Sequence, residues 1–280
     1  MKKLLLIIIA PLLITTSCTE RIDIELDETF TRLIVYGTLT TDTTRHYIEL
    51  SKTTSYYYNQ APPPVTNAVV EISDNLGNRV LLTEENPGLY ATPPSFFVLP
   101  GRVYTLQIEL EEEINGHRYY EATSVVNSIN PIDSIGLVYQ PLWGEKGFYE
   151  VTCYYQDAPT RDFYMFDIYK NGELLTDTIT KRIVVSDEFF NGSYTNGIGV
   201  GFLDQSKERE MLYPGDTITF RGSNVTEEYY TFIWTLQQET GFQTPLFSGP
   251  PANIQSNITN GAIGFFTAFS VSYASTVFLP

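Results

Sequence analysis

The chain has 280 residues and a formal net charge of −16 at pH 7, with 33 acidic against 17 basic side chains. This acidic excess argues against nucleic acid and anionic membrane surfaces as partners, because both require basic patches. Aromatic residues make up 14% of the chain and charged residues 18%, a composition that favours strands joined by turns. We therefore expect a mainly β protein that does not bind nucleic acid.

The first 17 residues have the pattern of a secretory signal peptide. Lys2 and Lys3 precede an apolar run over residues 4–14, which is too short to span a bilayer, and small polar residues then lead to Cys18. A cysteine at this place resembles the lipobox of bacterial lipoproteins, in which the thiol receives a diacylglycerol before cleavage. We expect residues 1–17 to be removed and Cys18 to be the lipidated first residue, the alternative being an incidental cysteine after an ordinary signal.

Residues 18–30 contain five acidic side chains and few turn signals, which predicts an extended acidic tether. More than one acyl chain is needed for stable membrane attachment, and a triacylated Cys18 would meet that condition. No membrane-spanning segment follows the signal. The sequence therefore predicts that the chain meets the membrane only through its N-terminal lipid.

Residues 31–130 alternate short apolar runs with turn signals such as Asn115-Gly116. In the run over 103–110, alternation predicts a core face made of every second residue. That face consists of Tyr104, Leu106, Ile108 and Leu110. Seven or so short strands in about 100 residues predict an antiparallel β-sandwich, immunoglobulin-like or transthyretin-like.

The second half, residues 131–280, restarts with strands after Asn130-Pro131, which predicts a domain boundary there. We expect a second sandwich-like, β-rich domain. Its apolar tail predicts core strands over 261–266 and 269–273.

One segment of the second half has helical spacing. Either Asn224 or Thr226 could cap its start, acidic residues occupy the first turn, and Gly241 is placed to end it. We predict one amphipathic helix over about 226–240, packed on a sheet.

Several segments together resemble a known family. They are Leu33-Ile-Val-Tyr-Gly37, 65–77, Gly88-Leu-Tyr90 with Pro93, 100–106, Pro131-Ile-Asp-Ser134 and, most distinctive, 251–266. In this order they are similar to the Bacteroidota lipoprotein family called domain of unknown function 4249 (DUF4249). The resemblance covers nearly the whole mature chain.

The resemblance implies an outer-membrane lipoprotein, in a family often encoded beside TonB-dependent receptors of the SusC type. The resemblance implies no catalytic residue. It also implies exposure at the cell surface, because surface lipoproteins of this phylum tend to carry acidic residues just after the acylated cysteine. Glu20, Asp23 and Glu25 fit that tendency, whereas Thr19 and Arg21 interrupt it. Attachment to the periplasmic leaflet is therefore the alternative location.

Residues suited to metal or nucleophile chemistry are few. His46 and His117 are the only histidines, and both lie in predicted strands where we expect exposed sheet positions. A zinc site needs clustered His or Cys ligands, yet the only thiol besides the lipidated one is Cys153, in an alternating run that predicts a small buried side chain. No G-x-S-x-G elbow occurs. We expect no enzyme, no metal and no cofactor.

Aromatic clusters are the better candidates for binding. Tyr56, Tyr57 and Tyr58 lie beside three prolines in a predicted exposed loop, and Phe96 and Phe97 also fall in loop-like surroundings. Exposed aromatic side chains give a large contact area at low entropic cost. They predict a binding loop, the alternative being that the rings cover the ends of the sandwich.

Four short matches to D-[ST]-x resemble O-glycosylation sites of this phylum, although so short a pattern also occurs by chance. The acceptors would be Thr43, Ser134, Thr178 and Thr217.

These observations favour a non-enzymatic accessory binding or complex-forming subunit of a TonB-dependent transporter. The first alternative is a structural or assembly scaffold of the outer membrane. The second is a surface hydrolase that uses a carboxylate pair, whose separation a sequence does not reveal.

Overall fold

A computed structural model describes residues 31–54, 61–241 and 254–279. The signal peptide, Cys18 and the acidic tether lie outside the described residues. The first eight strands are β1 (Leu33–Thr40), β2 (Tyr47–Lys52), β3 (Val69–Asp74), β4 (Arg79–Leu81), β5 (Thr83–Asn86), β6 (Leu89–Ala91), β7 (Val103–Ile114) and β8 (His117–Val125).

The second half of the described chain contains eight more strands and one α-helix. The strands are β9 (Ile132–Gln140), β10 (Phe148–Tyr155), β11 (Phe163–Lys170), β12 (Glu173–Leu174), β13 (Ile183–Ser186), β14 (Ile198–Asp204), β15 (Thr217–Val225) and β16 (Ile263–Val277). The helix, α1, spans Glu227–Thr240, and a short 3-10 turn spans Ile179–Lys181. The described chain is mainly β with one helix, as predicted.

The largest sheet, called the main sheet here, joins strands from both halves of the chain. Its order is β12-β11-β15-β16-β1-β2-β6-β5, with β13 also paired to β11. β16 pairs in parallel with β1, where Phe266 is opposite Gly37, and antiparallel with β15, where Ala274 is opposite Phe220. Two smaller sheets have the orders β4-β3-β7-β8 and β14-β10-β9.

One face of the main sheet is covered by the two smaller sheets, which gives two sandwich-like cores. In the first, Val35 and Phe266 of the main sheet pack in the same buried cluster as Ile72 and Leu106 of β3 and β7. The predicted core face of β7 is confirmed, because its four alternating residues are all buried.

The second core lies between β9-β10-β14 and the β11-β15 part of the main sheet. It contains Val151 and Cys153 of β10 together with Phe166 and Phe220. Cys153 is fully buried, as the alternating run around it predicts.

Helix α1 covers the opposite face of the main sheet. Thr226 is its N-cap, with its hydroxyl accepting from the backbone N–H of Tyr229, and Gly241 is its C-cap, so the predicted limits are confirmed. Its buried residues are Tyr229, Phe232 and Ile233, which pack on Phe265 and neighbouring residues of β16.

The predicted boundary near residue 130 falls between β8 and β9. The first core nevertheless includes Phe266 and Ala268 of the second half, the main sheet continues across both halves because β16 joins β1 to β15, and Thr31–Pro280 forms one compact unit. The division into two domains stays a prediction.

The segment before β16 closes the open edge of β8. The backbone of Thr259 and the side chain of Asn260 bond to Glu121 and Tyr119. The Asn257 amide donates to the carbonyls of Phe266 (2.7 Å) and Thr123 (3.2 Å) and accepts from the N–H of Phe266 (3.0 Å). This segment therefore protects an edge that would otherwise offer unpaired backbone groups to other chains.

Replacing Asn257 by alanine should lower the free energy of unfolding by about 2–3 kcal/mol, because three backbone groups lose their partner. Urea unfolding measures the change. Gln107→Ala, which removes a side-chain bond to Glu121 on an exposed face, is the control and should cost under about 0.5 kcal/mol. Equal losses in the two variants would contradict the structural role of Asn257.

Candidate functional site

The predicted binding loop is described only in part. Tyr56, Tyr57 and Tyr58 lie outside the described residues. Phe96 packs against the first core and meets the His46 ring edge-on at 5.7 Å, so it covers the sandwich. Phe97 is 44% exposed and lines a small depression of about 130 Å³ together with Phe96.

The two histidines are far apart in the fold and have different surroundings. His117 begins β8 and is exposed, as predicted. The exposed position expected for His46 is wrong: its side chain is buried, with Nε2 3.0 Å from the Thr40 hydroxyl. Burial, which outweighs the opposing effects of Asp42 and Thr44, lowers the pKa of His46. His46 alternates with the buried Ile48 and Leu50, so the local alternation already placed it on the core face, and the expectation of an exposed position overlooked that signal.

The Cys153 thiol is not available for nucleophile or metal chemistry. Burial raises the pKa of the Cys153 thiol to about 12, which leaves it protonated and unreactive. Within residues 31–54, 61–241 and 254–279, no group of three His, Cys, Asp or Glu is placed to hold a metal ion.

The four predicted glycosylation acceptors occupy different surroundings. Thr43 lies in an exposed bend and Thr178 precedes the exposed 3-10 turn. Ser134 is exposed but lies within β9, and Thr217 is half-buried in β15. Accessibility therefore favours Thr43 and Thr178 as acceptors, and modification itself stays a prediction.

A depression of about 550 Å³ lies on the outer face of β3, β7 and β8. Its carboxylates already have partners: Glu71 bonds to Arg79, Glu109 to Tyr119 and Glu121 to Gln107. A surface whose charged groups satisfy one another offers few of the free polar groups that fix a ligand.

A second depression lies on the α1-bearing face of the main sheet and has a volume of about 430 Å³. We call it the arginine groove and define it by residues of β1, β2, β6 and β15 and of the β1–β2 connection. They are Tyr36, Thr38, Thr40, Asp42, Thr44, Arg45, His46, Tyr47, Glu49, Leu89 and Arg221. Its volume lies in the range of small-molecule sites.

Arg221 enters the groove from β15 and is anchored by a buried carboxylate. Its Nε and Nη2 donate to Oδ2 of the fully buried Asp167 at 3.1 and 2.6 Å. The Thr176 hydroxyl donates to the other oxygen of Asp167 at 3.0 Å. Burial opposes the charge, but Asp167 and Tyr169 outweigh it and raise the pKa of Arg221. The pair fixes the direction of this guanidinium.

Arg182 lies next to the groove, behind Tyr36. Its Nη1 donates to the hydroxyls of Tyr36 and Tyr229 at 3.3 and 3.4 Å, and its Nε is buried without a hydrogen-bond partner. Gln237 of α1 donates to the Arg182 carbonyl and so fixes the backbone. Burial opposes the charge, yet Tyr229, Tyr36 and Asp167 raise the pKa of Arg182.

Neither arginine is among the site residues predicted from the sequence. A signal existed for Arg221, because Thr219, Arg221 and Ser223 alternate with the core residues of β15 and therefore share one face. No comparable signal existed for Arg182, whose contact with Tyr36 joins residues 146 positions apart.

Three buried carboxylates form a separate cluster at one end of the second core. Asp157 accepts from the Tyr164 hydroxyl, Asp162 accepts from Asn224, and Asp187 accepts from the backbone N–H of Asp162. Oδ1 of Asp187 is buried and unpartnered. Burial, with the neighbouring Asp157 and Asp162, raises the pKa of Asp187.

The raised pKa of Asp187 predicts a pH-dependent stability. The folded state holds the proton more tightly than the unfolded state, so stability is greatest below the ordinary carboxyl pKa and falls as pH rises through the raised value. Asp187→Asn should therefore raise the free energy of unfolding at pH 7 by about 1 kcal/mol, with a smaller gain at pH 4. Urea unfolding at both pH values measures it.

Asp133→Asn, at an exposed position, is the control for this prediction and should leave stability unchanged at both pH values. A loss of stability in Asp187→Asn at pH 7 would show that the fold favours the ionised carboxylate, which contradicts a raised pKa of Asp187.

A family model described as "Domain of unknown function (DUF4249)" matches residues 19–275. No curated protein matches the chain. Among the described residues, no helix is long and apolar enough to cross a membrane.

Proposed function

The chain belongs to the DUF4249 family, and from that membership we propose that it is a lipid-anchored outer-membrane protein without catalytic activity. It acts as an accessory binding or complex-forming subunit of a TonB-dependent transporter of the SusC type. Cys18 is the attachment point, residues 18–30 are the tether, and the described β unit faces the cell surface.

The observation that carries the binding role is the arginine groove. It combines the hydroxyls of Thr38 and Thr40, the exposed rings of Tyr36 and Tyr47, and charged groups including Arg221 on one face of the main sheet. A concave surface with a few convergent polar groups and aromatic rings is typical of ligand sites. The hydroxyl–imidazole contact at the groove, between Thr40 and His46, involves two buried side chains, which supports binding over catalysis.

A surface hydrolase is less well supported by the geometry. The two histidines occupy separate places, one buried against Thr40 and the other exposed on β8. The buried carboxylates Asp157, Asp162 and Asp187 lie in the interior, where a polymeric substrate would have no access.

Affinity isolation from native membranes tests the complex. The chain, carrying a C-terminal affinity tag, is extracted from its own host in mild detergent and captured, and the eluate is analysed by mass spectrometry. We expect an outer-membrane TonB-dependent receptor at near-equal molar amount. Capture of the lipoprotein without any such barrel protein would contradict the proposal.

The scaffold alternative also predicts a barrel partner, so a second measurement separates it from the binding role. Deleting the gene should impair growth on one nutrient or one class of nutrients if the chain serves uptake. A general envelope defect, with the same growth loss on every nutrient, would favour the scaffold.

A further inference from the structure

Two exposed tyrosine rings lie side by side in the arginine groove. In β1, Tyr36 alternates with buried residues, and in β2 Tyr47 and Glu49 do the same, so the three side chains share one face of the main sheet. Tyr36 pairs with Glu49 in the ladder, which makes Tyr47 its diagonal neighbour. The rings are 38% and 42% exposed, and both line the groove. They offer aromatic surface to the body of a ligand.

The backbone beneath these rings is already paired on both sides. β1 lies between β16 and β2, and β2 lies between β1 and β6. Neither strand therefore has an open edge at the groove to which an extended peptide could add through main-chain hydrogen bonds. Recognition of a ligand in the groove depends on side chains.

Charged side chains of both signs line the groove. They are the cations Arg45 and Arg221 and the anions Asp42 and Glu49. A ligand of either charge therefore meets like charge on part of the lining, and the net charge of −16 on the whole chain adds to the repulsion of anions. This arrangement favours an uncharged ligand.

Several polar groups of the groove are available for hydrogen bonds to a ligand. Tyr47 and Glu49 are exposed, and among the described residues neither their polar atoms nor the Thr38 hydroxyl has a hydrogen-bond or ion-pair partner. The pair of Arg221 with Asp167 uses Nε and Nη2, which leaves the N–H groups of Nη1 outside it. The groove thus offers donors, acceptors and hydroxyls that act as both. An uncharged ligand with several hydroxyls needs this mixture, because each of its hydroxyls both donates and accepts.

Aromatic rings beside such a mixture of polar groups match the chemistry of a sugar ring. The C–H groups on the faces of a sugar pack on the negative faces of tyrosine rings, while its hydroxyls reach the surrounding polar side chains. A purely apolar ligand would instead remove charged groups from water without replacing their hydrogen bonds, which is costly.

We propose that the arginine groove binds an uncharged saccharide, with Tyr36 and Tyr47 against the sugar rings and with Glu49 and Arg221 bonded to the hydroxyls. This inference rests on the proposed binding function and names the ligand class. Isolation of the chain with a barrel partner does not depend on it, so the two claims fail separately.

Ligand-observed NMR titration with a panel of methyl glycosides tests the proposal. The protein is the mature chain with Cys18→Ala, which needs no detergent. The neutral probes are the methyl glycosides of glucose, galactose, mannose, xylose and N-acetylglucosamine. The charged probes are methyl glucuronide and methyl glucosaminide, and N-acetylglycinamide represents a peptide.

We expect at least one neutral glycoside to bind about tenfold more tightly than either charged probe or the peptide probe. Absence of binding by every neutral glycoside would overturn the proposal. Equal or tighter binding of a charged probe or of the peptide probe would overturn it as well.

Two tyrosine variants locate the site. Tyr47→Ala should weaken binding of the preferred glycoside about tenfold, because it removes one of the two ring surfaces. Tyr119→Ala is the matched control, since Tyr119 is 62% exposed but lies in the other depression, on the outer face of β8, and this variant should bind as the parent does. Unchanged binding in Tyr47→Ala, or an equal loss in Tyr119→Ala, would contradict the assignment to the arginine groove.

Two carboxylate variants test the hydrogen bonds to the hydroxyls. Glu49→Ala should weaken glycoside binding about tenfold, whereas Glu111→Ala, which removes the same charge at an exposed position of β7, should leave it unchanged. Both positions are exposed, so both variants should keep the melting temperature of the parent chain. Full glycoside binding by a folded Glu49→Ala chain would overturn the role of Glu49.

Discussion

Replacing Asp167 by alanine should lower the free energy of unfolding by about 3–5 kcal/mol. Asp167 is fully buried, and its carboxylate accepts two bonds from Arg221 and one from Thr176. Without it, the Arg221 guanidinium loses its only carboxylate among the described residues, and Arg182 loses a negative charge that raises its pKa. The destabilisation comes mainly from leaving a charge buried and unpaired.

A double variant separates the cost of a broken pair from the value of the pair itself. Asp167→Leu with Arg221→Met removes both charges and should recover most of the stability that Asp167→Ala loses, because a buried ion pair and an apolar pair of similar size differ little in free energy. Urea unfolding of the single and double variants measures this.

The exposed pair of Arg45 and Glu85 is the matched control. Arg45→Met should change the free energy of unfolding by at most about 1 kcal/mol, because water and salt screen an exposed ion pair. If Asp167→Ala lowers the free energy of unfolding by no more than this, solvent reaches the Arg221 guanidinium and screens its charge.

Local patterns predicted the elements of the fold but not their assembly. The alternation over 103–110 gave the buried face of β7, and Thr226 and Gly241 gave the limits of α1, because both signals act within a few residues. The parallel pairing of β1 with β16 joins Gly37 to Phe266 across most of the chain. No alternation or turn signal encodes a contact of that range.

The candidate site also depends on long-range contacts, which local sequence patterns do not reveal. The sequence pointed to aromatic loops and to histidines, which are conspicuous as residue types. The arginine groove instead depends on which side chains the main sheet brings together, with Arg182 reaching Tyr36 and Arg221 reaching Asp167. Sheet register creates that proximity, and register follows from long-range packing.

Gly264, in the C-terminal segment that resembles the family, lies in close contact with the backbone of β1. Gly264 has φ +100° and lies opposite Val35 in the parallel ladder, and a Cβ there would meet the Val35 carbonyl oxygen at 1.9 Å. Only glycine fits this approach. The described part of this family-like segment joins the main sheet and closes the edge of β8.

Cys18→Ala should move the protein completely from the membrane fraction to the soluble fraction. The lipid on Cys18 is the only membrane attachment that the sequence predicts, and each buried CH₂ of an acyl chain contributes about 0.8 kcal/mol to membrane binding. Removing the thiol removes every acyl chain that depends on lipoprotein processing. We therefore expect this substitution to change the membrane distribution more than any substitution in the β unit.

Cys153→Ser is the matched control, since these are the two cysteines of the chain. Cys153 is buried in the second core and has no part in the predicted lipidation, so this variant should keep the membrane distribution of the parent. Its stability falls, because a hydroxyl replaces a thiol in an apolar cluster.

Lipid anchoring is tested most directly by fractionation of outer membranes from cells that express the parent chain, Cys18→Ala or Cys153→Ser, combined with the intact mass of the mature protein. We expect an outer-membrane protein that begins at a triacylated Cys18 in the parent and in Cys153→Ser, and a soluble, unacylated protein in Cys18→Ala. A Cys18→Ala protein that remains in the membrane fraction, or a parent chain without lipid mass, would contradict it.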